Sequence, residues 1–271
     1  MDCLRDETSR RSFLKAGIAT AAALGTAEFF SGPAQAAPEV AVAPATVRSG
    51  PAGQQRSIVD SHCHATPVWY ADIDALVFEL DRNHVEHAVL VQIGNYFDNS
   101  YQFDALRRFP GRFANVVIAD YSKPDAADTV AKLAEQGVSG LRIGAPTRSP
   151  GDDPFMIWKA AARLGLSITT GGRSANFTDP AFVQIVEAIP EVPVVIEHLG
   201  STDNPNEDPI EVDVFQQIFS LSRYPNVHMK IHGLGEFTKR STFPTPPFPF
   251  DKPIRPLLDM VYDAFGPQRM M

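Results

Sequence analysis

Short runs rich in β-branched residues alternate with longer segments of helical period from Ser57 onward, and this alternation constrains the fold more than any other feature of the chain. The strand runs are Ser57 to Asp60, His87 to Gln92, Phe113 to Ile118, Gly140 to Ile143, Ser167 to Thr170, Val192 to His198 and Val227 to Ile231. Helical segments separate or follow them at 71–83, 102–108, 126–136, 155–164, 180–188, 212–221 and 254–265. Asp179 before Pro180 reads as an N-cap followed by an N1 proline, and Gly137 and Gly165 stand where helix ends want a left-handed residue. The last helix stops at Gly266-Pro267.

Such a pattern gives parallel strands joined by crossover helices. An open doubly wound sheet would carry a glycine-rich phosphate loop after its first strand, but His62-Cys63-His64 stands there instead. A (β/α)8 barrel of the TIM type fits better, because it gathers catalytic groups at the C-terminal ends of its strands. Polar residues do collect there: His62 and His64, Asn95 and Tyr96, Asp120 and Tyr121, Arg142, Arg173, His198, and His232 with Glu236. The expected fold is therefore an incomplete α/β barrel of about seven parallel strands, with the eighth missing at the C-terminus.

In strict strand alternation Asp60, His62 and His64 share one side, so two imidazoles converge. That arrangement suits a metal ion or a pair of proton-handling groups. A formal net charge of -8 argues against a nucleic-acid or anionic-membrane partner and leaves a small molecule as the substrate class. Structural readings stand beside the functional ones: Asp60 orienting backbone or a neighbouring histidine, Cys63 packed away from the site, and Arg142 in an ion pair. The Pro-rich loop 238–253 reads as a lid or a stiff surface excursion.

Ahead of the barrel, Ser9-Arg10-Arg11-Ser12-Phe13-Leu14-Lys15 and a weakly apolar stretch to Phe30 resemble a bacterial twin-arginine signal, the route for proteins exported already folded. Ala34-Gln35-Ala36 supplies the small residues of a cleavage site. The organisation is then a signal peptide at 1–36, a flexible linker at 37–55 and a barrel domain at 56–271. The apolar stretch is too short and polar to span a membrane, so the expected partners are the export machinery and a small substrate in the periplasm or outside the cell.

Four pieces carry a family resemblance: Asp60-Ser-His-Cys-His64, Gly137-Val-Ser-Gly-Leu-Arg-Ile143, Ile196-Glu-His-Leu-Gly200 and Met229-Lys-Ile-His-Gly233. In this order they resemble the amidohydrolase superfamily, in the branch with the 2-pyrone-4,6-dicarboxylate and sugar-acid lactonases and the aromatic-acid decarboxylases. The resemblance makes His62, His64 and His198 catalytic residues, and metal ligands if a divalent ion, zinc above all, is bound. The fifth strand lacks the histidine that helps bind metal in many relatives, which leans toward lactonases that work without metal.

The implied chemistry is attack of water on the carbonyl of a small carboxylated or hydroxylated lactone or ester. Arg142, Arg173, Asn95 and Tyr121 are the candidate substrate-binding residues, the arginines because guanidinium pairs with carboxylate. In relatives the Phe-Gly-Pro-x-Arg sequence leads into an eighth strand bearing an aspartate; here Phe265-Gly-Pro-Gln-Arg-Met-Met271 ends the chain, so a truncated and inactive polypeptide is an expectation too. The alternatives are a metal-dependent aromatic-acid decarboxylase and a non-catalytic periplasmic ligand-binding protein.

Overall fold

The computed structural model describes residues 57–70, 72–200, 212–231 and 255–271. Within them lies one parallel sheet whose spatial order equals chain order: β1 (Val59–Cys63), β2 (His87–Val91), β3 (Phe113–Val117), β4 (Gly140–Arg142), β5 (Ser167–Thr170), β6 (Val194–Ile196) and β7 (Val227–Met229). The helices are α1 (Ile73–Arg82), α2 (Ser100–Arg108), α3 (Ala126–Glu135), α4 (Met156–Arg163), α5 (Ser174–Thr178), α6 (Pro180–Ala188), α7 (Val212–Phe219) and α8 (Arg255–Phe265). Monotonic strand order is the progression of a barrel, since a doubly wound sheet reverses direction partway. The sheet curls until Lys230, just past β7, lies within 3.4 Å of His62 on β1.

Strand alternation sorts the core into two layers. Ala88, Leu90 and Phe113 face Ile73, Leu76 and Leu80 of α1, while Leu141, Ile168, Val194, Ile196, Val227 and Met229 belong to the large outer core. The intervening Val89, Val91, Ala114, Val116 and Val195 form a separate inner cluster, against which Met271 packs. Trp158 of α4, Phe177 of α5 and Phe182 of α6 lock three helices together edge to face, with centroids 6.4 and 5.0 Å apart.

Local punctuation acts as the sequence implies. The Asp179 carboxylate accepts the Ala181 N–H at 2.8 Å, and Gly137, Gly165 and Gly266 end their helices at φ of 82°, 66° and 65°. The short α5 is an addition to the expected elements, because five residues are too few to display a helical period. In β1, the three steps from Asp60 to Cys63 span two of β2, from Ala88 to Leu90. This bulge breaks the strict alternation assumed for Asp60, His62 and His64.

At the other end of the chain, the Met229 N–H donates to Arg269 O at 2.9 Å, Met271 N–H to Met229 O at 3.0 Å, and Ile231 N–H to Met271 O at 2.7 Å. Residues 269–271 thus run parallel to β7 where an eighth strand is expected, forming an isolated bridge at Met270. The signal and linker, His232, Glu236 and the Pro-rich loop lie outside the described residues. No helix among the described residues is long and apolar enough to cross a membrane.

Candidate active site

The three histidines named from the sequence meet at the C-terminal rim. The His62 ring packs against His64 in a T shape with centroids 4.9 Å apart, and lies 5.5 Å from His198. Asp60 serves the backbone instead, its carboxylate accepting the His62 N–H at 2.9 Å and pinning the bulge that aims the ring. Cys63 points elsewhere, toward Val89 O, and burial pushes its thiol up, with Asp60 adding to the effect. Trp69, half exposed on the loop after β1, stands with its ring 5.5 Å from His64.

His198 is presented by an unusual turn. His198, Leu199 and Gly200 take left-handed φ of 55°, 54° and 78° in succession. The turn is held by Leu199 N–H donating to Lys230 O at 3.0 Å and Gly200 N–H to Glu197 O at 2.8 Å. Backbone in this region costs on the order of 1–3 kcal/mol per non-glycine residue and persists only where its surroundings impose it.

Beneath the rings lies an ionic layer that the motif reading passes over. Arg142 grips Glu197 bidentately, Nε to Oε1 at 2.9 Å and Nη2 to Oε2 at 2.6 Å, and its Nη1 donates to Gln92 O at 2.8 Å. The structural reading of Arg142 is therefore realised: its charge is matched within the protein. Gly171 makes room for this pair, since a Cβ there would lie 2.7 Å from Glu197 Oε2. Lys230 is buried beside it; burial pulls its ammonium down to about 8, opposed mainly by Glu197.

The ring nitrogens differ in their surroundings. His64 Nδ1 lies 2.7 Å from Val91 O, and because a carbonyl only accepts, this nitrogen carries the hydrogen and leaves a lone pair on Nε2. Lys230 Nζ lies 3.4 Å from His62 Nδ1, whereas His62 Nε2 is buried with no hydrogen-bond partner among the described residues. Burial, reinforced by the Lys230 charge, pushes the His62 ring far below the usual imidazole range; burial lowers His64 as well. Both rings are neutral near pH 7.

Next to the cluster opens a cavity of about 520 Å³ lined by Asn95, Phe97, Tyr121, Arg142, Arg148 and Glu197 among others. Of the candidate substrate residues, Asn95, Tyr121 and Arg142 reach this wall. Asn95 does so from a left-handed φ of 62°, and Tyr121 donates to Arg142 O at 3.1 Å. Arg173 is exposed at the N-terminus of α5 and is not part of the lining. Arg148, which sequence reasoning missed, is: its Nη1 donates to Ala145 O and Thr147 O, and no ion pair to a carboxylate is formed by it among the described residues. No histidine is among its lining residues, but Arg142 and Glu197, which are, lie near enough to His64 to act on its charge.

A tight zinc site takes three protein ligands and an open position. Among the described residues no group of three or more His, Cys, Asp or Glu side chains is placed to hold a metal ion, and β5 ends in two threonines, with Gly171 next, where a histidine ligand would stand. The described donor set does not fit such an ion.

A curled parallel sheet with histidines and a buried ion pair at its C-terminal rim has the architecture of a TIM-type barrel enzyme. The amidohydrolase family model matches residues 59–271, and the chain belongs to that family. A twin-arginine translocation signal matches residues 7–27, so this is an exported amidohydrolase-family hydrolase. Solved structures share its fold. A probable 2-pyrone-4,6-dicarboxylic acid hydrolase from Acinetobacter baumannii, with citric acid bound, is 16% identical with a TM-score of 0.57, covering 79% of this chain and 82% of its own. An amidohydrolase from Burkholderia multivorans with bound zinc is 19% identical with a TM-score of 0.59 over the same shares. A TIM-barrel protein from Bordetella bronchiseptica is 13% identical with a TM-score of 0.54, covering 79% and 84%. A search of curated proteins finds no match.

Proposed function

We propose that this hydrolase opens a small carboxylated lactone by attack of water on the ring carbonyl. The observation that carries the reading is Arg148, a cation without a carboxylate partner among the described residues, in a cavity of about 520 Å³ bordering the histidine cluster. Guanidinium binds carboxylate through paired charge-assisted hydrogen bonds. Asn95 and Tyr121 supply polar contacts on the same wall, and Arg142 closes its floor with charge already matched by Glu197.

His64 is the general base in this reading. Its Nε2 lone pair is directed by the Nδ1–H bond to Val91 O, and a neutral ring can take a proton from water. His62 and His198 flank the reacting carbonyl and stabilise the oxyanion as the tetrahedral intermediate forms. Arg173, exposed and outside the lining, has no part in it. The 2-pyrone-4,6-dicarboxylic acid after which the probable Acinetobacter hydrolase is named gives a first substrate to try.

The decisive assay is a panel of carboxylated and uncharged lactones followed by proton release. Carboxylated members should turn over, with His64→Asn lowering kcat by about 10²-fold or more, as loss of a general base does. Arg148→Ala should raise KM for carboxylated members by roughly 10- to 100-fold, the worth of a charge-assisted hydrogen bond, and leave uncharged ones unmoved. Failure of every lactone, or equal loss on both kinds with Arg148→Ala, would overturn the reading.

A further inference from the structure

We infer that Lys230 is a positioning residue that fixes His62 as a hydrogen-bond donor, opposite in polarity to His64, and so sets the histidine cluster against a divalent metal ion. This rests on the proposed hydrolytic role of the cluster and assigns a part to a side chain which that proposal leaves unused.

Donors and acceptors decide the polarity of each ring. An ammonium has three N–H groups and nothing with which to accept, so with Nζ 3.4 Å from His62 Nδ1 that nitrogen must present its lone pair. A neutral imidazole then carries its hydrogen on Nε2, the buried atom that no group among the described residues satisfies. His64 has the reverse arrangement, with hydrogen on Nδ1 toward Val91 O and a lone pair on Nε2. Two chemically identical rings in edge contact at 4.9 Å therefore offer one donor and one acceptor. That is what a hydrolytic step needs: the acceptor takes the proton of the attacking water, and the donor meets the oxygen on which negative charge develops.

A divalent ion needs the opposite, a lone pair on the inward nitrogen of each ring. To ligate through Nε2, His62 would have to move its hydrogen to Nδ1, directly against the Lys230 ammonium. Charge opposes the ion as well. Lys230 and the Arg142 guanidinium both face this space, from the ends of β7 and β4. Of the carboxylates that face Lys230, Glu197 just after β6 is held bidentately by Arg142, and Asp60 on β1 accepts its own strand's N–H. Among the described residues Cys63 also faces Lys230, as a thiol turned toward Val89 O.

Two measurements on the full chain decide the matter. In ¹⁵N-histidine-labelled protein at pH 7, the His62 signals, assigned by their loss in His62→Gln, should show an unprotonated Nδ1 and a protonated Nε2, and Lys230→Met should reverse them. Isothermal titration with zinc chloride should give no stoichiometric uptake by the parent protein, and at least tenfold tighter binding by Lys230→Met or by Lys230→Gln. A His62 ring protonated on Nδ1 in the parent, or zinc bound as tightly by the parent as by the variants, would overturn the inference. Should neither variant fold, the parent's tautomer and zinc titration still decide it. Lactone turnover enters neither readout, so the inference and the proposed substrate class can fail separately; a lysine that merely filled space would change stability while leaving both readouts where they were.

Discussion

Lys230 keeps its charge where desolvation works against it, and the energetic consequence has a definite sign. Its ammonium titrates at about 8 in the folded protein against an ordinary 10.5, so between those values the unfolded chain holds a proton that the folded chain has released. Stability contributed by this site therefore rises with pH from about 8 to 10.5, and the penalty, roughly 3 kcal/mol, is fully present below that window. Urea denaturation should show Lys230→Met more stable than the parent at pH 7, with the gap closing by about pH 10.5; a gap that ignored pH would refute the assignment. The Glu197 carboxylate is the complementary case. Glu197→Gln leaves the largely buried Arg142 without its counter-ion and should cost about 3–5 kcal/mol in the same assay. Both residues sit inside stretches that the sequence marks as motifs, and a lysine within an apolar strand run is itself a signal, since buried lysines are rare without partners. What the sequence does not contain is the partner: Arg142 and Glu197 are 55 positions apart, and only the closing of the sheet brings them together.

Elements place the rings. The left-handed turn after β6 ends on Gly200, where a Cβ would lie 2.6 Å from Ile218 Cγ2 in addition to demanding a φ of 78°. Gly200→Ala should destabilise by about 1–3 kcal/mol and shift His198, lowering lactone turnover beyond what the stability loss explains. A variant that folds and turns over normally would show the turn to be incidental. Simple caps behave more modestly: Asp179→Ala removes one N–H acceptor at the start of α6 and should cost about 1 kcal/mol with no change in activity. These elements are also where sequence reading is strongest. β5 and α6 have the expected bounds, and β2, β3 and β4 end within a residue of them, because period and punctuation are local properties. It falters at the β1 bulge, where alternation put Asp60 beside the histidines, and at β6, where the run expected to reach His198 gives way after Ile196. A bulge and a left-handed turn are answers to packing around a site, invisible to any period.

At the scale of the molecule the last residues are tied back along the β7 edge of the sheet. Arg269 reaches back to three carbonyls, Ser222 at 2.8 Å, Tyr224 at 3.0 Å and Val227 at 3.4 Å, while Met271 packs on the inner cluster. Arg269→Ala should cost about 1.5–3 kcal/mol by losing charged donors to backbone, read as a lowered denaturation midpoint; an unchanged midpoint would show the last residues to be passive. The contact of His62 with Lys230 has a temporal meaning as well. It joins residues 168 positions apart, among the most distant pairs the barrel brings together, so the donor ring acquires its polarity only when the first and seventh strands meet. Contacts of such separation close late, after the local strand and helix pairs that make up most of the fold. Competence should then trail secondary structure during refolding, and a chain exported through the twin-arginine route in the folded state would arrive with its chemistry already assembled.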